Sequence, residues 1–260
     1  MRRWIAVLAV VLAVPVTAAG SGASAGAEPV PVSPVEALER QLVEGRGVKM
    51  TKVFTATKDR EKADIRVAGV AEFGDGKVTA TDMTHRSDFT GIAGSVRHLT
   101  FPGRGYVQDG ASFQGKSWRL QENKEIRPRL DADWIELSDR AMLKAVLATA
   151  RVKRPAGVYD GTRTTLYQGT ITLGELYRAG SAGFPFGRDE KPSKTEAKAA
   201  VSWKLWLGGD QLVRRAWGTW GEPFSRSGDI RISYVVDVRL SGWGAKVDVV
   251  PPPADDVAHL

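Results

Sequence analysis

The stretch Ile230-Arg231-Ile232-Ser233-Tyr234-Val235-Val236-Asp237-Val238-Arg239-Leu240 decides the fold. Ile230, Ile232, Tyr234, Val236, Val238 and Leu240 recur with a period of two, and Asp229, Arg231, Ser233, Asp237 and Arg239 fill the alternate positions, broken only by Val235. Side chains of a strand change face at every residue, so this pattern predicts a sheet with one apolar face and an opposite face that is covered or wet. Just upstream, residues 201–210 and 211–220 face each other across Gly208-Gly209-Asp210-Gln211, which predicts a hairpin feeding that strand.

The period of two also governs the first half of the chain. Residues 48–57, 63–73 and 77–88 read as long antiparallel neighbours, the second pair joined through Gly74-Asp75-Gly76. Val48, Met50, Phe54 and Ala56 share one face of the first, and Ile65, Val67, Gly69, Ala71 and Phe73 share one face of the second. Shorter strands follow at 95–101, 104–108 and 116–120, and a strand or strand pair at 158–170 turns at Asp160-Gly161.

Helical signals are few. Ser33, Pro34 and Glu36 form an N-terminal signature for a helix over 33–44, with Val35, Leu38, Leu42 and Val43 as its stripe and Gly45 beyond its end. A second helix is predicted over 137–150, capped by Ser138, with Met142, Leu143, Val146, Leu147 and Ala150 on one face and Arg151, Lys153 and Arg154 at its C-terminal dipole. A third starts at the capping Thr172 and stops at Gly180. Residues 181–195 read as a loop, a lid or a linker, leading into a short helical run at 196–200.

Residues 1–27 carry export chemistry: Arg2 and Arg3 precede an apolar run, 5–14, and small residues up to Ala27 offer a cleavage site. The run is shorter than the ~20 residues that span a bilayer, so a retained N-terminal anchor is the weaker reading. A Pro-rich spacer at 28–34, a single domain at 35–250 and a Pro-rich tail at 251–260 complete the expected organisation. The chain has no cysteine, so it has no disulfide, no thiolate metal site and no acylated cysteine behind the signal. These features predict a secreted, extracytoplasmic protein of the cell envelope.

Losing Arg2 and Arg3 lowers the formal charge from +7 to about +5. Basic and acidic residues are interspersed, as in 58–64, which argues against a nucleic-acid partner while leaving transient contact with an anionic membrane surface open. His85, His98 and His259 have no metal-ligand spacing, and no cofactor motif is present. Asp82, His85, Ser87 and Asp88 are near one another, but triads gather residues from separate segments, so no catalytic residue is assigned. Asp131, Asp133, Glu136 and Asp139 read as acidic residues favoured at the start of the second helix. Trp118, Trp203, Trp206, Trp217, Trp220 and Trp243 concentrate on the sheet as core, with a sugar-stacking platform as the alternative. Trp203 and Trp206 must point to opposite faces.

Several stretches in order resemble the LolA-like superfamily of exported lipid and lipoprotein carriers, nearest the LppX and LprG type of actinobacterial lipoproteins. They are Gly105-Tyr106-Val107 with Gly115-Lys116-Ser117-Trp118, residues 159–170, residues 203–207 with 211–215, and the ending from Gly242-Trp243-Gly244 to Pro251-Pro252-Pro253-Ala254-Asp255-Asp256. The resemblance implies an α+β fold: a strongly curved antiparallel β-sheet, an open half-barrel, with helices covering the concave side and a cavity for acyl chains between them. It departs from the family at the cysteine that often anchors such proteins.

The expectation is therefore a monomeric, non-enzymatic carrier or sensor binding lipid or acylated cargo. Val67, Phe73, Leu99, Phe101, Leu143, Leu147, Leu205, Leu212, Ile232 and Tyr234 are the expected lining of a shared inner face. A binding module for envelope polymer or protein with a packed core is the alternative, and an exported hydrolase comes third.

Overall fold

In the computed structural model the described residues are 32–58, 60–87, 94–180, 191–221 and 232–259. The first half is a meander of β1 (Arg46–Lys58), β2 (Glu61–Gly74), β3 (Lys77–Ser87), β4 (Ser95–Phe101), β5 (Arg104–Gln108) and β6 (Trp118–Glu122). The small hairpin β7 (Asp131–Ala132) and β8 (Ile135–Glu136) follows. The second half has β9 (Ala150–Tyr159), β10 (Thr162–Thr172), β11 (Ala200–Gly208), β12 (Val213–Gly221) and β13 (Ile232–Lys246), and β14 (Val257–His259) ends the chain. The helices are α1 (Pro34–Glu39), α2 (Arg140–Ala148) and α3 (Leu173–Ala179).

Twelve strands make one curved sheet in the order β14-β6-β5-β4-β3-β2-β1-β13-β12-β11-β10-β9, an open half-barrel with β14 and β9 at its edges. The two meanders meet where β1 pairs antiparallel with β13. Only β14 on β6 is parallel. All described residues belong to one compact unit, Val32–Leu260.

The strand readings hold closely, with Asp88, Asp229, Ile230 and Arg231 falling outside the described residues. The last strand runs further than its alternation suggests, to Lys246, because Gly242 and Gly244 adopt φ of 63° and 80° and let three residues, 242–244, bulge opposite Val48. A bulge of this kind bends the strand and raises its twist, which helps curve the sheet. Gly69 contributes differently: a Cβ there would lie 1.9 Å from the Asp82 carbonyl oxygen, so β2 and β3 approach more closely than any side chain allows.

Other readings are corrected. Arg151, Lys153 and Arg154 do not end a helix but lie in edge strand β9, since α2 stops at Ala148 and Thr149 caps it. Asp139, not Ser138, caps α2, its carboxylate accepting from the Ala141 and Met142 amides. In the first helix region α1 ends at Glu39, and Val43 is exposed. The segment read as a tail carries β14, whose Val257 and Ala258 are buried. Residues 1–31 and 181–190 lie outside the described residues, so the signal, most of the spacer and much of the 181–195 loop do too.

Cross-strand register defines two faces. On one, Met50, Val67, Val236, Val238 and Leu205 join Leu143 and Val146 of α2 and Leu173 and Leu176 of α3 in the main core. The opposite face has a smaller core of Ala80, Leu99, Tyr106, Trp118 and Leu120, over which the C-terminal Val249 and Val257 pack. Trp203 and Trp206 do take opposite faces: Trp203 is fully buried in the main core, and Trp206 lies under Arg215 on the other side.

Candidate functional site: the aromatic end of the concave face

Three strands bring aromatic rings together where β1 ends and β13 begins. Phe54 on β1, Tyr234 on β13 and Trp220 on β12 are set side by side by the pairing of Ala56 with Tyr234 and of Tyr234 with Trp220. Trp220 stacks on Tyr234 at 5.4 Å between centroids and 22° between planes, and Phe54 is 5.6 Å from Tyr234 and 6.0 Å from Trp220. Trp134, at the tip of the β7–β8 hairpin, meets Trp220 edge-on at 6.2 Å. Phe54, Trp134 and Tyr234 are half-buried, as is Ile65 beside Phe54, so apolar surface remains open next to a closed core.

The hairpin is set into the main core by its own apolar residues, for Leu130, Ala132, Ile135 and Leu137 are all buried there. Asp133 turns it with a φ of 58°, a left-handed conformation that Asp tolerates better than most residues. Its polar groups then need partners away from water. Lys52 Nζ, projecting from the main-core face of β1, donates to Asp131 Oδ1 at 2.8 Å. Arg129 Nε donates to Glu136 Oε2 at 3.1 Å, and Glu136 Oε1 accepts from the Leu130 amide and the Ser138 hydroxyl at 2.9 and 2.6 Å.

Three of the four acidic residues expected at a helix dipole thus belong to an internal charge network, and only Asp139 serves α2. Burial alone would raise the Asp131 carboxyl, but the Lys52 ammonium and then Arg129 outweigh it and hold it below the usual range. Asp133 has no such direct partner. Burial, and then the charge of Asp131, push it up to about 7.

A second polar pair sits on the same face. His85 of β3 and His98 of β4 meet edge-on at 4.7 Å between ring centroids. Burial, then His98 and Lys52, lower His85 to about 4, and burial lowers His98 as well. Asp82 does not join His85: it points to the opposite face and holds Arg97 through two hydrogen bonds of 2.9 and 2.7 Å, and Asp88 lies outside the described residues.

These shifts oppose each other in the pH dependence of folding. The lowered His85 gives stability that is present above pH 6.5 and lost as pH falls towards 4, whereas the raised Asp133 gives stability present below 3.8 and lost as pH rises towards 7. Urea midpoints measured from pH 4 to 7 should therefore move in favour of Asp133→Asn over the parent as pH rises, levelling off above 7. The His85→Gln series should move in the variant's favour as pH falls. Curves parallel to the parent's in both series would remove the two groups from the linkage.

The expected lining residues separate into distinct locations. Val67, Phe73, Leu143 and Leu205 are buried in the main core, with Leu147 and Tyr234 half-buried at its fringe. Ile232 is half-buried at the start of β13, beside Lys58. Leu99 and Phe101 are not on the shared inner face: register places them on the opposite face, with Tyr106 and Trp118. Leu212 is buried in the turn between β11 and β12, and Phe73 stacks on Trp243 at 5.7 Å, both at the end of the sheet away from Tyr234. Lys52, Phe54 and Trp134 were absent from the expected set. Asp131-Ala132-Asp133-Trp134-Ile135-Glu136 does not keep a polar–apolar alternation, and nothing local pairs Lys52 with a residue 79 positions later.

No protein-family model matches the chain, and no curated protein matches its sequence. Among solved structures, the MucA/MucB complex of Pseudomonas aeruginosa is similar at 12% identity and a TM-score of 0.31, covering 82% of this chain and 59% of that one. A DUF1329 family protein from Desulfovibrio piger has 10% identity and a TM-score of 0.30, covering 85% and 95%. LprF from Mycobacterium bovis has 14% identity and a TM-score of 0.43, covering 84% of this chain and 95% of that chain.

Proposed function

We propose that this protein is an exported, non-enzymatic carrier or sensor that takes lipid or acylated cargo at the aromatic end of its concave face. The observation that carries this reading is the ring cluster of Phe54, Trp220, Tyr234 and Trp134, part exposed and backed by a continuous apolar core. Hydrocarbon burial needs no polar motif. At ~0.8 kcal/mol per methylene, ten carbons supply about 8 kcal/mol before ordering costs.

Tyr234, Leu147 and Ile232 are then the first contacts among the expected residues, with Val67, Leu143 and Leu205 behind them. Phe73 and Leu205 expose no surface at all, so a guest reaching them must part side chains that now touch one another. The half-buried Trp134, on a hairpin of two-residue strands, is the element such a guest displaces. In this reading α2 and α3 cover the concave side, and a membrane surface is met only transiently.

A fluorescent fatty-acid probe tests the site directly. Uptake by the parent, weakened about 10-fold or more in Trp220→Ala or Tyr234→Ala, is the expected result, given that ring contacts of this type carry ~1–3 kcal/mol. Absence of uptake, together with no lipid copurifying on extraction and mass spectrometry, rules the reading out. A second reading, a module for envelope polymer or protein, is favoured by the opposite face, where Lys204 lies 4.5 Å over Trp217 and Arg215 4.6 Å over Trp206.

A further inference from the structure

A pocket of about 440 Å³ lies at the other end of the half-barrel, between the β2–β3 turn, the β4–β5 turn and the start of α2. Its volume is within the ~300–1,000 Å³ of small-molecule sites. Four cationic side chains line it: Lys77, Arg127, Arg129 and Arg140. The two carboxylates in its wall are already committed. Glu136 accepts from Arg129, the Leu130 amide and Ser138, and Asp139 accepts from the Ala141 and Met142 amides.

The helix end is therefore closed by its own cap, and the positive character of the pocket comes from side chains. Arg140 is paired outward with Glu39. Arg129 is the informative one: Nε is used by Glu136, but Nη2 is buried and has no acceptor among the described residues. A buried guanidinium N–H without a partner is costly, and an oxygen of a bound anion is the acceptor that would relieve it. Pro102 and Pro128 complete the wall and leave room for an organic substituent.

We propose that this pocket is a binding site for a phosphate-type oxyanion carried on a small organic group. Lys77 and Arg127 draw the anion in, and Arg129 receives it at the pocket floor. The group reaches the protein either as the headgroup of an anionic lipid or as a soluble phosphate compound. The site does not depend on acyl binding, because the pocket is at the end of the sheet away from the aromatic cluster.

The test uses the full exported chain with inorganic phosphate, read by thermal shift and ³¹P line width against chloride at matched ionic strength. Vesicles of phosphatidylglycerol in phosphatidylcholine form a second arm. Saturable phosphate binding is expected, weakened about 10-fold in Lys77→Glu and in Arg127→Glu, the cost of reversing one charge at a charge-assisted contact. Lys62→Glu, an exposed charge at the other end of β2, should leave it unchanged, and the milder Lys77→Gln serves if a reversal unfolds the chain. Vesicle binding lost in the same two variants assigns the anion to a lipid headgroup, and phosphate binding without vesicle binding assigns it to a soluble compound. No saturable phosphate binding, or equal weakening in Lys62→Glu, overturns the site, whatever the fatty-acid probe does.

Discussion

Lys52→Ala is expected to lower the unfolding free energy by about 3–5 kcal/mol, the cost of removing one partner from a buried ion pair. Its ammonium is the only cation described within 3 Å of Asp131, and the two side chains are just 19% and 16% exposed. Without it, Asp131 must hold its charge against Arg129 at 3.8 Å or take a proton beside Asp133. Lys52→Met combined with Asp131→Asn should restore most of the loss, since an apolar or neutral replacement of both partners is often close to neutral. Chemical denaturation of the single and double variants measures both effects. An NMR titration adds a second readout, because Lys52 lowers His85 and its removal should raise that pKa from about 4. A single variant within about 0.5 kcal/mol of the parent, at the level of an exposed ion pair, would show that the network is wet and contributes little.

Trp203→Ala should cost a similar amount, about 3–5 kcal/mol, from the lost transfer energy and the cavity left behind. Trp203 is fully buried in the main core, and its indole Nε1 donates to Thr149 Oγ1 at 3.1 Å, tying β11 to the end of α2. Gly169 completes the arrangement. A Cβ there would lie 2.3 Å from the Thr149 carbonyl oxygen and 2.7 Å from the Trp203 ring, so the ring and α2 occupy the space a side chain would need. Trp206→Ala, on the opposite face and against the Arg215 guanidinium, should cost less, because its partners are ions and an edge-on Tyr159 rather than a closed core. Equal losses at the two positions would mean that the faces are not distinguished as described.

The candidate site was less legible than the strands that carry it. Tyr234 was visible as an apolar-face residue of β13, but its ring partners Phe54 and Trp220 come from β1 and β12, 180 and 14 positions away in the chain, and Trp134 of the β7–β8 hairpin meets Trp220 from 86 positions away. The acidic run 131–139 had a sound local explanation in the helix dipole. Tertiary packing overrode it for three of four carboxylates, because the hairpin is buried before the helix begins and its charges must find internal partners. Leu99 and Phe101 show the same limit from the other side. A period of two sorts residues into two sets but does not label either as inner, and here both sets are apolar enough to be covered.

By itself the sequence determined the strand-rich architecture, most strand positions, the cap of α3 by Thr172 and the opposite facing of Trp203 and Trp206. These depend on backbone geometry and side-chain alternation within a few residues. Only the tertiary structure decided that β1 joins β13, that the C-terminal segment returns to pack over β3–β6, and that a hairpin carrying Trp134 and its charges enters the main core. Such pairings are selected by the burial of whole faces against one another, and that energy belongs to segments far apart in the chain, so no local pattern records it.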